Sequence, residues 1–212
     1  MRHAFKASVI VSLLIVSTAA VSVTPFLTFD ASADAPSYVW VDDDFVPSIP
    51  GWGVTQFDTI QNGVDAVDEG GTVYVHAGTY SENVVIGRSL TLEGEDADTT
   101  ILQGTGSGYG LYSNGISGIT ITNLLIDGFS YGIYLYSSGS STVTDNTVTD
   151  NYYIGIYLYS SGSSTVTGNT VTYNNWGIYL GSSGSSTVTD NTVTDNNYFG
   201  IYLYYSGSST VT

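Results

Sequence analysis

From Gly132 to its last residue the chain repeats itself every 22 or 23 positions. The motif Gly-Ile-Tyr-Leu begins at Gly132, Gly155, Gly177 and Gly200, with a degenerate copy at Gly110-Leu111-Tyr112. Each Gly-Ile-Tyr-Leu copy runs into a Ser/Gly patch and Ser-Thr-Val-Thr, followed in all but the last by Asn-Thr-Val-Thr. A unit this short cannot enclose a core of its own. It buries its apolar side chains against the next unit, which makes a solenoid rather than a globule.

Side chains in the repeat alternate with period two, as in strands. In Gly132-Ile133-Tyr134-Leu135-Tyr136 this buries Ile133 and Leu135 and exposes Tyr134 and Tyr136. In Thr142-Val143-Thr144 and Thr147-Val148-Thr149 the valines face inward and the threonines outward. Three short strands per coil predict an all-β, three-sided parallel β-helix of 22–23 residues per coil. Its inward columns are Leu111, Ile133, Ile156, Ile178, Ile201 and Val143, Val166, Val188, Val211. A further column, Asn123, Asn146, Asn169 and Asn191, falls between two strands, where a sharp turn is needed. Asn tolerates left-handed backbone there and can hydrogen-bond from coil to coil.

Before the regular coils, Tyr38-Val39-Trp40-Val41 reads as a strand ended by Asp42-Asp43-Asp44. Phe57, Ile60, Val64 and Val67 share one face of a short helix that Thr55 or Asp58 can cap and Gly70-Gly71 stops. Strands follow at Thr72–Val75, Asn83–Ile86, Ser89–Leu92 and Thr120–Thr122. The expected organisation is a targeting segment over 1–33, an N-terminal strand, loop and capping helix over 34–71, and β-helix coils over 72–212.

The targeting segment combines basic Arg2, His3 and Lys6, an uncharged apolar stretch and the small-residue site Ala31-Ser32-Ala33. Cleaved signal peptide or retained anchor, it places the remainder outside the cytoplasm: extracellular, at the cell surface or in the periplasm. Cleavage after Ala33 leaves 18 acidic residues against Arg88 alone, a net charge of −17. Such a surface disfavours nucleic acid and anionic lipid. Absence of cysteine excludes disulfides and thiolate metal sites.

The stretch from Phe57 to Glu95, FDTIQNGVDAVDEGGTVYVHAGTYSENVVIGRSLTLEGE, resembles the opening of right-handed parallel β-helices of the pectin-lyase-like superfamily. The Gly-Ile-Tyr-Leu and Asn-Thr-Val-Thr coils resemble those of its NosD-type periplasmic and archaeal surface members. The resemblance covers Tyr38 to Thr212 and implies a right-handed coil whose open end is capped by a helix over 59–69. The chain stops inside a coil at Thr212, which predicts a fragment of a longer protein.

The resemblance raises three chemistries. NosD-type proteins are named for copper handling, but the chain after residue 33 offers only His76 and neither Cys nor Met as soft ligands. Lyase relatives use a basic residue beside Ca²⁺-bound carboxylates; the sole candidate is Arg88, a poor base at a pKa above about 12. Hydrolases use paired carboxylates. The column Asp127, Asp150, Tyr173, Asp195 would place Asp127 beside Asp150 as such a pair or a shared Ca²⁺ site, with Asn151, Asn174 and Asn196 as neighbouring carbonyl donors. The bland alternative is that Asp and Asn are turn residues there. The alternation of Asp145, Gly168 and Asp190 reads as charge avoidance. No catalytic residue and no cofactor beyond that calcium ion is expected.

The outward tyrosines give the functional expectation. Tyr112, Tyr134, Tyr157, Tyr179 and Tyr202 form one column; Tyr136, Tyr159 and Tyr204 form a second, broken by Gly181. Aromatic rings on a rigid face suit sugar stacking. The expected role is a non-catalytic exported module that binds polysaccharide, cell envelope or protein. The alternative is the N-terminal part of a lyase or hydrolase whose active site lies beyond residue 212.

Overall fold

The computed structural model describes residues 35–212, so the targeting segment lies outside the described residues. Those residues form one unit, Ala35–Thr212. They wind as a parallel β-solenoid of three sheets, every strand pairing with its counterpart one coil away. The long sheet has nine strands, running from Gln56–Phe57 and Tyr38–Val41 through Thr72–Val75, Thr91–Gly94 and Thr120–Thr122 to Thr210–Val211. The second sheet has six, from Gly78–Tyr80 to Thr192–Thr194. The tyrosine sheet also has six, from Val84–Val85 to Phe199–Tyr204.

The core is the stack of inward side chains. Val143, Val166 and Val188 line it from the long sheet, Ile126, Val148 and Val171 from the second, and Leu111, Ile133, Ile156 and Ile178 from the tyrosine sheet. Branched aliphatics suit a parallel sheet because they pack tightly on a pleated surface. The inward columns expected from the repeat hold, with Ile201 half-buried and Val211 exposed in the last coil.

The helix is shorter than expected: α1 spans Ile60–Ala66. Its cap is Thr59, whose Oγ1 accepts from Asn62 N, rather than Thr55 or Asp58. Phe57 leaves the helical face altogether and joins the long sheet beside Val41. The first-turn amides of Ile60 and Gln61 donate to the Glu82 carboxylate at 2.7 and 3.0 Å, which ties the helix to the first full coil. Ile60, Gly63 and Val64 are buried against the solenoid end.

Each corner of the coil uses the same device. A residue in left-handed backbone turns the chain, and the next residue points inward as a polar rung. Asp145 (φ 55°), Gly168 (φ 67°) and Asp190 (φ 56°) precede Asn146, Asn169 and Asn191. Asp150, Tyr173 and Asp195 precede Asn151, Asn174 and Asn196. Ser137, Ser160 and Ser182 precede Ser138, Ser161 and Ser183, and Ser140, Ser163 and Ser185 precede Ser141, Ser164 and Ser186. Four ladders therefore run along the solenoid, two of Asn and two of Ser. In each, the rung oxygen accepts the backbone amide of the previous coil, as Asn169 Oδ1 does from Asn146 N at 3.0 Å and Ser161 Oγ from Ser138 N at 3.0 Å.

These ladders correct the expected columns. Asn123 is not a rung: with φ 58° it occupies the left-handed position level with Asp145, and Leu124 stands where the rung would be, its amide donating to Asn146 Oδ1. The alternation of Asp145, Gly168 and Asp190 is thus a column of left-handed residues, where Gly is the unstrained choice. Asn151, Asn174 and Asn196 form the second Asn ladder, with Phe129 in the preceding coil donating its amide to Asn151 Oδ1.

Candidate functional site

The tyrosine sheet owes its outer face to a local break in alternation. In Tyr131–Tyr136, Gly132 and Ile133 both turn inward, so Tyr131 and Tyr134 both turn outward. Only Gly fits at that inward position. A Cβ on Gly132 would stand 2.7 Å from Gly155 O and 2.7 Å from Val148 Cγ1. The same constraint recurs at Gly155, where a Cβ would stand 2.8 Å from Val171 Cγ1.

Three outward columns result. The middle one, Tyr112, Tyr134, Tyr157, Tyr179 and Tyr202, is as expected, with paired registers throughout. The outer one, Tyr136, Tyr159, Gly181 and Tyr204, is also as expected. Sequence reasoning missed the third: Tyr109, Tyr131, Ile154, Trp176 and Phe199. Strict alternation from Ile133 hides Tyr131 inside; the glycine present in every copy of the motif was the available signal.

Rings of the middle column lie face to face. Tyr134 and Tyr157 have centroids 4.6 Å apart and planes 16° apart, and Tyr157 and Tyr179 stand at 4.9 Å and 23°. Tyr112–Tyr134 and Tyr179–Tyr202 continue the stack at 5.7 and 5.4 Å. Tyr131 packs edge-on against Tyr134, and Trp176 edge-on against Tyr202. In the outer column Tyr136 and Tyr159 are parallel within 6°. At Gly181 an added Cβ would meet the Tyr159 ring at 2.5 Å, so the gap in this column is where Tyr159 lies down.

This packing decides what the face offers. The flat faces of the middle rings are covered by one another, so they present edges and hydroxyls outward. Burial, and then the charge of neighbouring phenols, pushes the Tyr134, Tyr157 and Tyr179 hydroxyls above their ordinary value. They stay neutral and remain donors and acceptors at any physiological pH. Rings with free faces sit at the margins, at Tyr136, Tyr204 and Phe199 and on the turn residues Tyr152, Tyr173 and Tyr198.

The other expected sites come apart. Asp127 pairs in register with Thr149, not Asp150, and its carboxylate accepts from Gln103 Nε2 at 2.8 Å. Asp150 is a left-handed turn residue whose carboxylate accepts from Thr149 Oγ1 at 3.0 Å. The carbonyls of Asn151 and Asn174 are spent on the ladder, so they do not extend toward a cation beside Asp150. Arg88 reaches the Val67 carbonyl, closing the end of α1, which is a structural task. His76 packs edge-on against Tyr74 and Phe45, with Nδ1 3.3 Å from Glu95 Oε2. Among the described residues the one group of acidic side chains close enough to share a metal is the exposed Asp42-Asp43-Asp44 loop, where Asp42 binds the Asp44 amide and Asp43 the Thr79 amide.

Among solved structures the chain is similar to an alginate lyase from Paenibacillus sp. str. FPU-7, at TM-score 0.55 and 14% identity over 72% of this chain and 63% of that one. It is also similar to the pectin methylesterase PemA from Erwinia chrysanthemi, at TM-score 0.53 and 13% identity over 72% of this chain and 55% of that one. The chain thus spans less than two thirds of either enzyme. These likenesses establish a shared parallel β-helix architecture, and the right-handed winding expected from the sequence fits them. No curated protein matches the sequence. A family profile described as "Periplasmic copper-binding protein (NosD)" matches residues 58–212. With the profile covering every regular coil, the chain belongs to the NosD family.

Proposed function

We infer that this chain is an exported, non-catalytic β-helix module whose tyrosine face binds a neutral polysaccharide of the cell envelope or its surroundings. The observation that carries this reading is the aromatic wall itself: three columns across five coils, with phenol hydroxyls at regular spacing and free ring faces at its margins. Neutral glycans offer hydroxyls to phenol edges and C–H faces to the marginal rings. With only Arg88 for counter-charge, and that engaged at α1, the acidic surface repels polyuronates. The ligand class therefore differs from the anionic polymers named for the structural neighbours.

Copper is implied by the family's description, and the donor set does not fit it. The described residues hold one imidazole, His76, engaged with Glu95, and no thiolate or thioether. No step is routed through that metal. Nor do the described residues assemble an acid and a base across one cleft, which favours a binding role over the enzyme alternative.

The test is retention on insoluble neutral glucans, mannans and chitin, alongside alginate and polygalacturonate. Wild type should be retained by at least one neutral polymer, and Tyr136→Ala/Tyr159→Ala/Tyr204→Ala should not. Equal retention of both proteins, or binding confined to the polyuronates, would overturn the reading.

A further inference from the structure

The long sheet carries a second regular surface that the tyrosine face does not use. Its outward positions from the third regular coil onward are all threonine. Thr120, Thr142, Thr165 and Thr187 form one column in paired register. Thr122, Thr144, Thr167 and Thr189 form a parallel one, two residues along. Thr210 continues the first column in the last coil. Coil spacing sets the repeat along the axis at about 4.8 Å, and alternation along a strand sets the separation across it at about 6.7 Å. The mesh is held by backbone pairing on every side, so it cannot relax.

The array is also chemically uniform and unspent. No charged side chain lies within these two columns from Thr120 onward; Glu93, level with Thr122, marks where it begins. Every Ser and Asn rung of the corners has its hydrogen bonds inside the protein, and no buried side-chain polar atom among the described residues lacks a partner. The outward threonines behave differently. Among them only Thr144, which donates to Asp145, and Thr189, which accepts from Thr212, have a side-chain hydrogen bond within the protein. The hydroxyls of Thr120, Thr122, Thr142, Thr165, Thr167 and Thr187 are left to solvent. Each is half-buried beside its own methyl, so first-layer water is held by hydroxyls and confined between methyls.

We propose that this threonine face binds ice. A rigid mesh of hydroxyls and methyls with these two spacings orders water at positions commensurate with oxygens on a crystal face of ice. That ordered layer can then merge with the lattice. Charge would disrupt such a layer, because ions impose their own hydration shell, and the array is free of it. The same array suits no charged ligand, and threonine offers no flat ring for a sugar. The inference is independent of the glycan reading, since it rests on another sheet and a different solid.

The experiment uses the full mature chain. Ice grown slowly from a dilute solution on a cold probe should take the protein up, and single ice crystals held just below the melting point should become faceted. Thr165→Tyr/Thr187→Tyr, which keeps strand-compatible residues but raises two bulky rings from the plane, should be excluded from the ice with an unchanged melting curve. Tyr136→Ala/Tyr159→Ala/Tyr204→Ala should still be incorporated. Exclusion of the wild type from ice, or equal incorporation of the folded double-Tyr variant, overturns the proposal. If that variant does not fold, wild-type incorporation with persistent faceting supports it and wild-type exclusion alone suffices to reject it.

Discussion

Asn169 shows how much one side chain does in this architecture. Its Oδ1 accepts from both nitrogens of Asn146, and its Nδ2 donates to Val143 O, Thr167 O and Asn191 Oδ1. Asn169→Ala should cost about 3 kcal/mol, the upper end for a buried polar group left unpaired. Asn191→Ala, in the more open coil, should cost less; equal melting temperatures for the two variants would contradict the ladder account. Tyr173 is the reverse case, a bulky exposed residue held at φ 56°. Asn tolerates that backbone, so Tyr173→Asn should gain up to about 1 kcal/mol in chemical denaturation. The need for a turn and a polar rung at this corner was legible in the repeat. Which residue takes which role was not: Asn123 and Asn146 look equivalent in sequence, and only the strand register separates the left-handed position from the rung.

At the scale of elements, the helix and first coils are held by carboxylates rather than by the repeat. Glu82 receives two first-turn amides of α1, so Glu82→Ala should loosen the helix before the coils. Hydrogen exchange should show faster exchange at Ile60–Ala66 while Val143 and Val166 stay protected; uniform protection would place the anchor elsewhere. Glu95 is held below the usual carboxylate range, first by the Ala77 amide and then by His76. A depressed folded-state pKa means its contribution is complete above the unfolded value and is lost as pH falls through the folded one. An NMR titration of the Glu95 carboxyl carbon should give a midpoint below that of the unfolded chain, and His76→Ala should raise it. The strands of the repeat were readable from alternation, whereas Gln56–Phe57, Gly78–Tyr80 and Thr100–Gln103 were not. In the last, Thr100 and Leu102 face inward and Ile101 outward, and only its pairing with the neighbouring coils decides that choice.

Across the whole molecule, donor chemistry and charge frame the function. Equilibrium dialysis of the mature chain should show no tight Cu(I) or Cu(II) retention, because one imidazole cannot complete a copper site; a stoichiometric ion bound at submicromolar affinity would contradict this. The sequence by itself determined the solenoid, its three sides, the inward aliphatic columns and two of the outward tyrosine columns. Each follows from a period of 22–23 residues imposed on a period of two, and both are local properties of the chain. Tertiary structure alone decided the one-residue register that separated Asp127 from Asp150. It also decided the inward turn of glycine that added Tyr131 and Trp176 to the wall, and the stacking that hid the ring faces of Tyr134 and Tyr157. These depend on which residue of one coil meets which residue of the next. A repeat that alternates between 22 and 23 residues leaves that choice open until the strands pair.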